Sequence, residues 1–154
     1  MNRRDFLLLA GSAAATAQSR RRPTILLRSS WKTVNIGDIA HTPGVLAVLE
    51  KQVPGAELVL WPSSGLDRGV EPMLMRRFPK LRIVKGAVES AEVRAAFQSA
   101  DLLIHGSAAS AGQQPQLAAW RKETGRPYGY FGVTFTPAND PIGPAKVSDA
   151  TIEL

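Results

Sequence analysis

The 154 residues contain no cysteine, which excludes disulfides, thiol nucleophiles and thiolate metal sites. Histidine is nearly absent too: His41 and His105 are the only two, far apart in the chain, and they give no zinc-ligand spacing. No apolar run is long enough to span a bilayer, so no integral membrane span is expected. The Gly-x-Gly-x-x-Gly fingerprint, the P-loop lysine motif and the Gly-x-Ser-x-Gly elbow are all missing. The chain therefore carries no dinucleotide or nucleotide signature and no serine triad, and no cofactor is expected.

What remains is composed like a globular protein, 44% hydrophobic and 21% charged. The formal charge is +6, a balance that suits anionic ligands or surfaces. The basic residues are spread over several segments rather than gathered in one stripe, so nucleic acid is not the expected partner.

Residues 1–17 read as a twin-arginine export signal. Arg3-Arg4-Asp5-Phe6-Leu7 opens a short apolar run, and Ala15-Thr16-Ala17 supplies a small-x-small cleavage site. Removing this leader takes away Arg3, Arg4 and Asp5 and leaves a charge of +5. The expected location is the periplasm or cell envelope if the signal is used, and the cytoplasm otherwise. A basic linker, 18–23, follows.

From 24 to 135 strand-like and helix-like stretches alternate. Strands are expected at Ile25–Arg28, Glu57–Trp61, Leu81–Val84, Asp101–His105 and Tyr128–Phe135. A helix is expected to begin at Thr42-Pro43, with proline in its first turn, and to bury Val45, Leu46, Val48 and Leu49. A second, from about Arg68 to Phe78, has Asp67 as its expected N-cap and Val70, Met73, Leu74 and Phe78 as its apolar side. Met73 and Met75 read as packing residues, and Trp61 and Trp120 as core. Helices over Glu89–Gln98, with Val93 and Phe97 inward, and Pro115–Glu123, closed by Gly125, complete the alternation. Such spacing requires parallel βαβ crossovers, so the expected fold is α/β, a Rossmann-like doubly wound sheet of about five strands. Residues 136–154 hold three prolines and no periodicity. A structureless tail of that length is foreign to a finished domain, and the chain is expected to stop short of a second one.

Parallel strands put every strand-to-helix loop at one edge, where ligands bind. Three loops belong there: Ser29–Asp38, Pro62–Asp67 and His105–Gly112. The first and third are rich in Ser, Gly and Ala and let backbone amides approach an anionic oxygen; Arg28, Lys32 and Arg68 add positive charge. Gly37 opens backbone shapes closed to other residues, and Asn35 and Asp38 are short polar groups able to cap amides or meet a ligand. Trp31 reads either as a platform for a sugar or as cover. His105 reads as a general acid–base or as a structural histidine. His41 reads as a capping or packing residue, and Asp101, at the opposite edge, as structural.

The run Ile25-Leu-Leu-Arg-Ser-Ser-Trp-Lys-Thr-Val-Asn-Ile-Gly-Asp-Ile-Ala-His41 resembles the opening of the polysaccharide pyruvyl transferase family, whose first strand leads into Asn-x-Gly-Asp, here Asn35-Ile36-Gly37-Asp38. Ala100-Asp101-Leu102-Leu103-Ile104-His105-Gly106-Ser107 is similar to the family's later strand and its glycine-rich loop, with Ser107-Ala108-Ala109 where glycines are usual. The resemblance covers roughly residues 24–135. It implies the N-terminal half of a GT-B-like two-domain transferase that moves the enolpyruvyl group of phosphoenolpyruvate to a sugar hydroxyl. Asp38 and His105 would then take the polar or base roles. Trp31, Asn35, Gly37, Gly106 and Ser107 would line the acceptor-sugar side, and phosphoenolpyruvate would bind only in the complete enzyme, through the other half. The competing expectation is an exported carbohydrate-binding or catalytically degenerate α/β protein.

Overall fold

β1 (Thr24–Ser29) is the central strand, as its apolar run requires. Thr24 to Leu27 and Ser29 are all buried, and a strand covered on both faces has no solvent side to make polar. The computed structural model describes residues 21–29, 36–63, 66–106 and 115–132, apart from the Asp38 side chain. The export leader and the irregular tail expected from the sequence lie outside the described residues.

After β1 come α1 (Ile36–Gln52), β2 (Glu57–Pro62), α2 (Val70–Arg77), β3 (Arg82–Ile83), α3 (Ala91–Ser99), β4 (Leu102–Gly106), α4 (Pro115–Thr124) and β5 (Tyr128–Phe131). The five described strands lie in the order β3-β2-β1-β4-β5, and every neighbouring pair is parallel. The chain winds outward from β1 to β3, then crosses back to build β4 and β5 on the other side. This is a Rossmann-like, doubly wound α/β fold, and its topological switch lies between β1 and β4.

Alternation along the strands divides the interior into two layers. Ile25, Leu27, Leu60 and Ile104 pack with Val45, Leu46 and Leu49 of α1 and with Val70, Leu74 and Phe78 on and after α2. Leu26, Val59, Trp61, Leu103 and Tyr128 face the other way, onto Val93, Ala96 and Phe97 of α3 and Leu117 and Trp120 of α4. Phe97 stands edge-on to both Trp61 and Trp120, with ring centroids 5.6 and 5.2 Å apart. Each buried indole keeps its N–H satisfied: Trp61 donates to the Gly86 carbonyl at 2.9 Å, and Trp120 to those of Arg126 and Pro127 at 3.1 Å. Arg126 closes the end of α3, donating to the carbonyls of Phe97, Gln98 and Ala100.

Several local expectations need correction. α1 begins at Ile36, not at Thr42, and carries Pro43 in its interior. That proline forfeits the hydrogen bond to the Ile39 carbonyl, but tertiary contacts hold the preceding turns helical. Ile39 packs on the core, and the buried Thr42 hydroxyl lies 2.6 Å from that of Ser29. Val48, expected inside, is 40% exposed, and Met73 and Met75 are 46% and 37% exposed rather than packed. Asp67 does not cap α2. The N-cap is Gly69, in the left-handed region at φ 79° with no side-chain cap, and Asp67 contributes only its carbonyl, to the amide of Val70. The left-handed pair Arg68–Gly69 (φ 49° and 79°) turns the chain into the helix where a side-chain cap was expected. Ser90 does cap α3, accepting from the Val93 amide at 3.3 Å. No helix among the described residues is long and apolar enough to cross a membrane.

Candidate functional site

The carboxyl ends of β1 and β4 lie side by side, with Arg28 opposite His105 and Ser29 opposite Gly106. Each residue pair presents its side chains to a different face of the sheet.

On the α1 face, the Ser29–Thr42 hydroxyl pair ties the end of β1 to the second turn of α1. One turn earlier, Gly37 and Asp38 fall in the first turn of that helix, where the positive end of the macrodipole favours a negative ligand. His41 of α1 donates through Nε2 to the Gly132 carbonyl, just past β5, at 3.1 Å. Gly106 is buried, yet a Cβ there would meet its neighbours at ordinary distances, 3.4 Å from Leu27 Cδ1 and 3.6 Å from Ser29 Oγ. Sterics in the strand therefore do not demand glycine at this position.

On the opposite face, one cross-strand row runs Trp61, Arg28, His105, Tyr130. The Arg28 guanidinium lies 4.2 Å from the Trp61 ring centroid, and its Nη1 donates to the Pro62 carbonyl at 2.7 Å. Burial pushes the Arg28 pKa down to about 10, because a desolvated cation is disfavoured; it remains charged at neutral pH. His105 is 8% exposed, and its ring centroid lies 6.0 Å from that of Tyr130. Burial, and secondarily Tyr128, raises the Tyr130 pKa above its usual value. His105 thus sits on the face away from α1, so any ligand touching both it and the start of α1 must pass over the strand ends.

Of the residues expected at the site, Gly37, Gly106, His105 and the backbone of Asp38 come to the carboxyl edge around the switch. Trp31, Asn35 and Ser107 lie outside the described residues. Asp101 is structural, as expected: its carboxylate accepts from the Thr24 amide at 2.8 Å and pairs with Arg21 at the far edge. The sequence does not single out Tyr130, and it offers Arg28 only as added charge. Their one signal in the sequence is alternation, since Arg28 follows Leu26 and Tyr130 follows Tyr128 at the two-residue period of a strand face. Among the described residues no group of three His, Asp or Glu side chains gathers to hold a metal. Compared with known proteins, the chain matches no family model and no curated protein.

Proposed function

We propose that the chain is the N-terminal, acceptor-binding half of a polysaccharide pyruvyl transferase-like protein, exported through its twin-arginine leader. One observation supports this reading most. Ile36, Gly37 and Asp38, of the stretch on which the resemblance rests, form the first turn of α1, beside the β1/β4 switch where α/β sheets of this winding bind ligands. On this reading Asp38 holds a sugar hydroxyl. His105 supplies or removes a proton, and Trp31, Asn35, Gly106 and Ser107 shape the acceptor side. Phosphoenolpyruvate is held by basic groups of a second α/β half, which accompanies this one in the complete enzyme. The chemistry needs a base for the sugar proton and cations for the leaving phosphate.

The test is calorimetric titration with a panel of sugars and with phosphoenolpyruvate. Saturable sugar binding that is lost in Asp38→Ala and kept in Glu92→Ala, an exposed position on α3, supports the reading. Absence of saturable sugar binding overturns it, whether or not phosphoenolpyruvate binds. Sugar binding without pyruvyl transfer by the full-length protein favours the carbohydrate-binding alternative.

A further inference from the structure

Arg28 is a cation that the fold has half-buried without a counter-charge among the described residues. The ion pairs among the described residues join Arg21 to Asp101, Arg77 to Glu50, Lys85 to Glu71 and Arg94 to Glu123; Arg28 takes part in none. Its neutral partners among the described residues are all on one side. Nη1 donates to the Pro62 carbonyl, with the Trp61 carbonyl at 3.4 Å, and the guanidinium face rests on the Trp61 ring. Trp61 is itself fixed, 1% exposed and anchored through its N–H on Gly86. The head group is therefore held in one orientation, while its Nη2 and Nε hydrogens make no hydrogen bond among the described residues. A guanidinium presents five donors in a planar fork suited to two oxygens of one anion. Placing such a charge where water is partly excluded costs free energy unless an anion restores it. Its place is the penultimate residue of the central strand, at the switch of a doubly wound sheet.

We propose that Arg28 is the receptor for an oxyanion, a phosphate or carboxylate group of a small ligand, with the Trp61 ring as the platform that pre-orients its fork. This goes beyond the sugar-binding reading and does not depend on it, because the anion is held on the face of the sheet away from α1.

The experiment is arginine modification of the full chain by phenylglyoxal, followed by peptide mass spectrometry, with inorganic phosphate, acetate, pyruvate or glucose present. Phosphate or a carboxylate slows labelling of Arg28 by about tenfold at saturation, as expected for a charge-assisted fork. Exposed Arg76 is labelled at an unchanged rate, and glucose protects neither. Comparing the phosphate and carboxylate arms tells which oxyanion the fork prefers. Arg28→Met, which keeps the stem over Trp61, weakens phosphate binding in calorimetry by about tenfold or more, and Arg28→Lys restores part of it. Equal labelling of Arg28 with and without every anion overturns the proposal, and because this readout uses the wild-type chain it holds even if the variants fold poorly. Protection of Arg28 without any sugar binding removes the transferase reading and keeps the anion site; sugar binding without protection does the reverse.

Discussion

His41 and Gly132 meet so closely that a Cβ on Gly132 would fall 2.2 Å from His41 Nε2. The imidazole donates to the Gly132 carbonyl at 3.1 Å, which fixes its proton on Nε2, since a carbonyl can only accept. Gly132 also has φ +65°, a conformation costly for any residue with a side chain. Gly132→Ala should lower stability by about 1–3 kcal/mol, read as a shifted denaturation midpoint. Combining it with His41→Ala should remove the steric part and leave only the backbone part, so the double mutant should lose less than the two singles added. Full additivity would mean that the contact is not formed in solution.

The Ser29–Thr42 pair anchors α1 upstream of Pro43, where the helix is weakest. Ser29→Ala should cost about 1 kcal/mol for a buried hydroxyl left with one partner fewer. Hydrogen exchange should accelerate in the amides of the first α1 turns more than in those of α3. If protection falls uniformly, the bond does not hold the helix start.

Tyr130 gives a pH signature. Burial raises its pKa in the fold, so above the ordinary tyrosine value of about 10 the unfolded chain gives up its phenol proton before the native one does. The unfolded state then binds fewer protons, and stability falls as pH rises through this window. Below it, both states are neutral at this group and no slope arises. Tyr130→Phe should therefore flatten part of the alkaline loss of stability. An absorbance titration should show one late-ionising tyrosine that disappears in the variant. Parallel alkaline stability curves for the two proteins would refute the assignment.

Phe97 lies between two buried indoles and is itself fully buried. Phe97→Ala should cost about 3–5 kcal/mol, since neither tryptophan can move without breaking the hydrogen bond at its N–H. The near-ultraviolet circular dichroism of the tryptophans should change with it. Phe97→Leu, which keeps most of the volume, should cost clearly less.

The α/β alternation was legible because burial on both faces writes unbroken apolar runs into β1, β2 and β4, while one-sided burial writes helical spacing into α3 and α4. Caps and helix starts were not. Proline in a first turn is a local preference of a few kcal/mol at most, and at Pro43 the packing of Ile39 and the burial of Thr42 outweighed it. Val48 and Met73 carry the right hydrophobicity but lie outside the stripe that the sheet covers, and only the angle at which each helix packs decides that. At the candidate site, Gly37 and Asp38 could be placed after the first strand from order alone, whereas Arg28 needed its neighbours to become interesting.

The amino-acid sequence by itself determined the class of fold, the edge at which loops gather, and the absence of cysteine chemistry, because these follow from composition and from the two- and 3.6-residue periods of burial. Only the tertiary structure decided that β4 returns to pair with β1, because strand order is set by long-range packing that no local pattern records. That pairing puts Arg28 between Trp61 and His105 and leaves its charge without a carboxylate among the described residues.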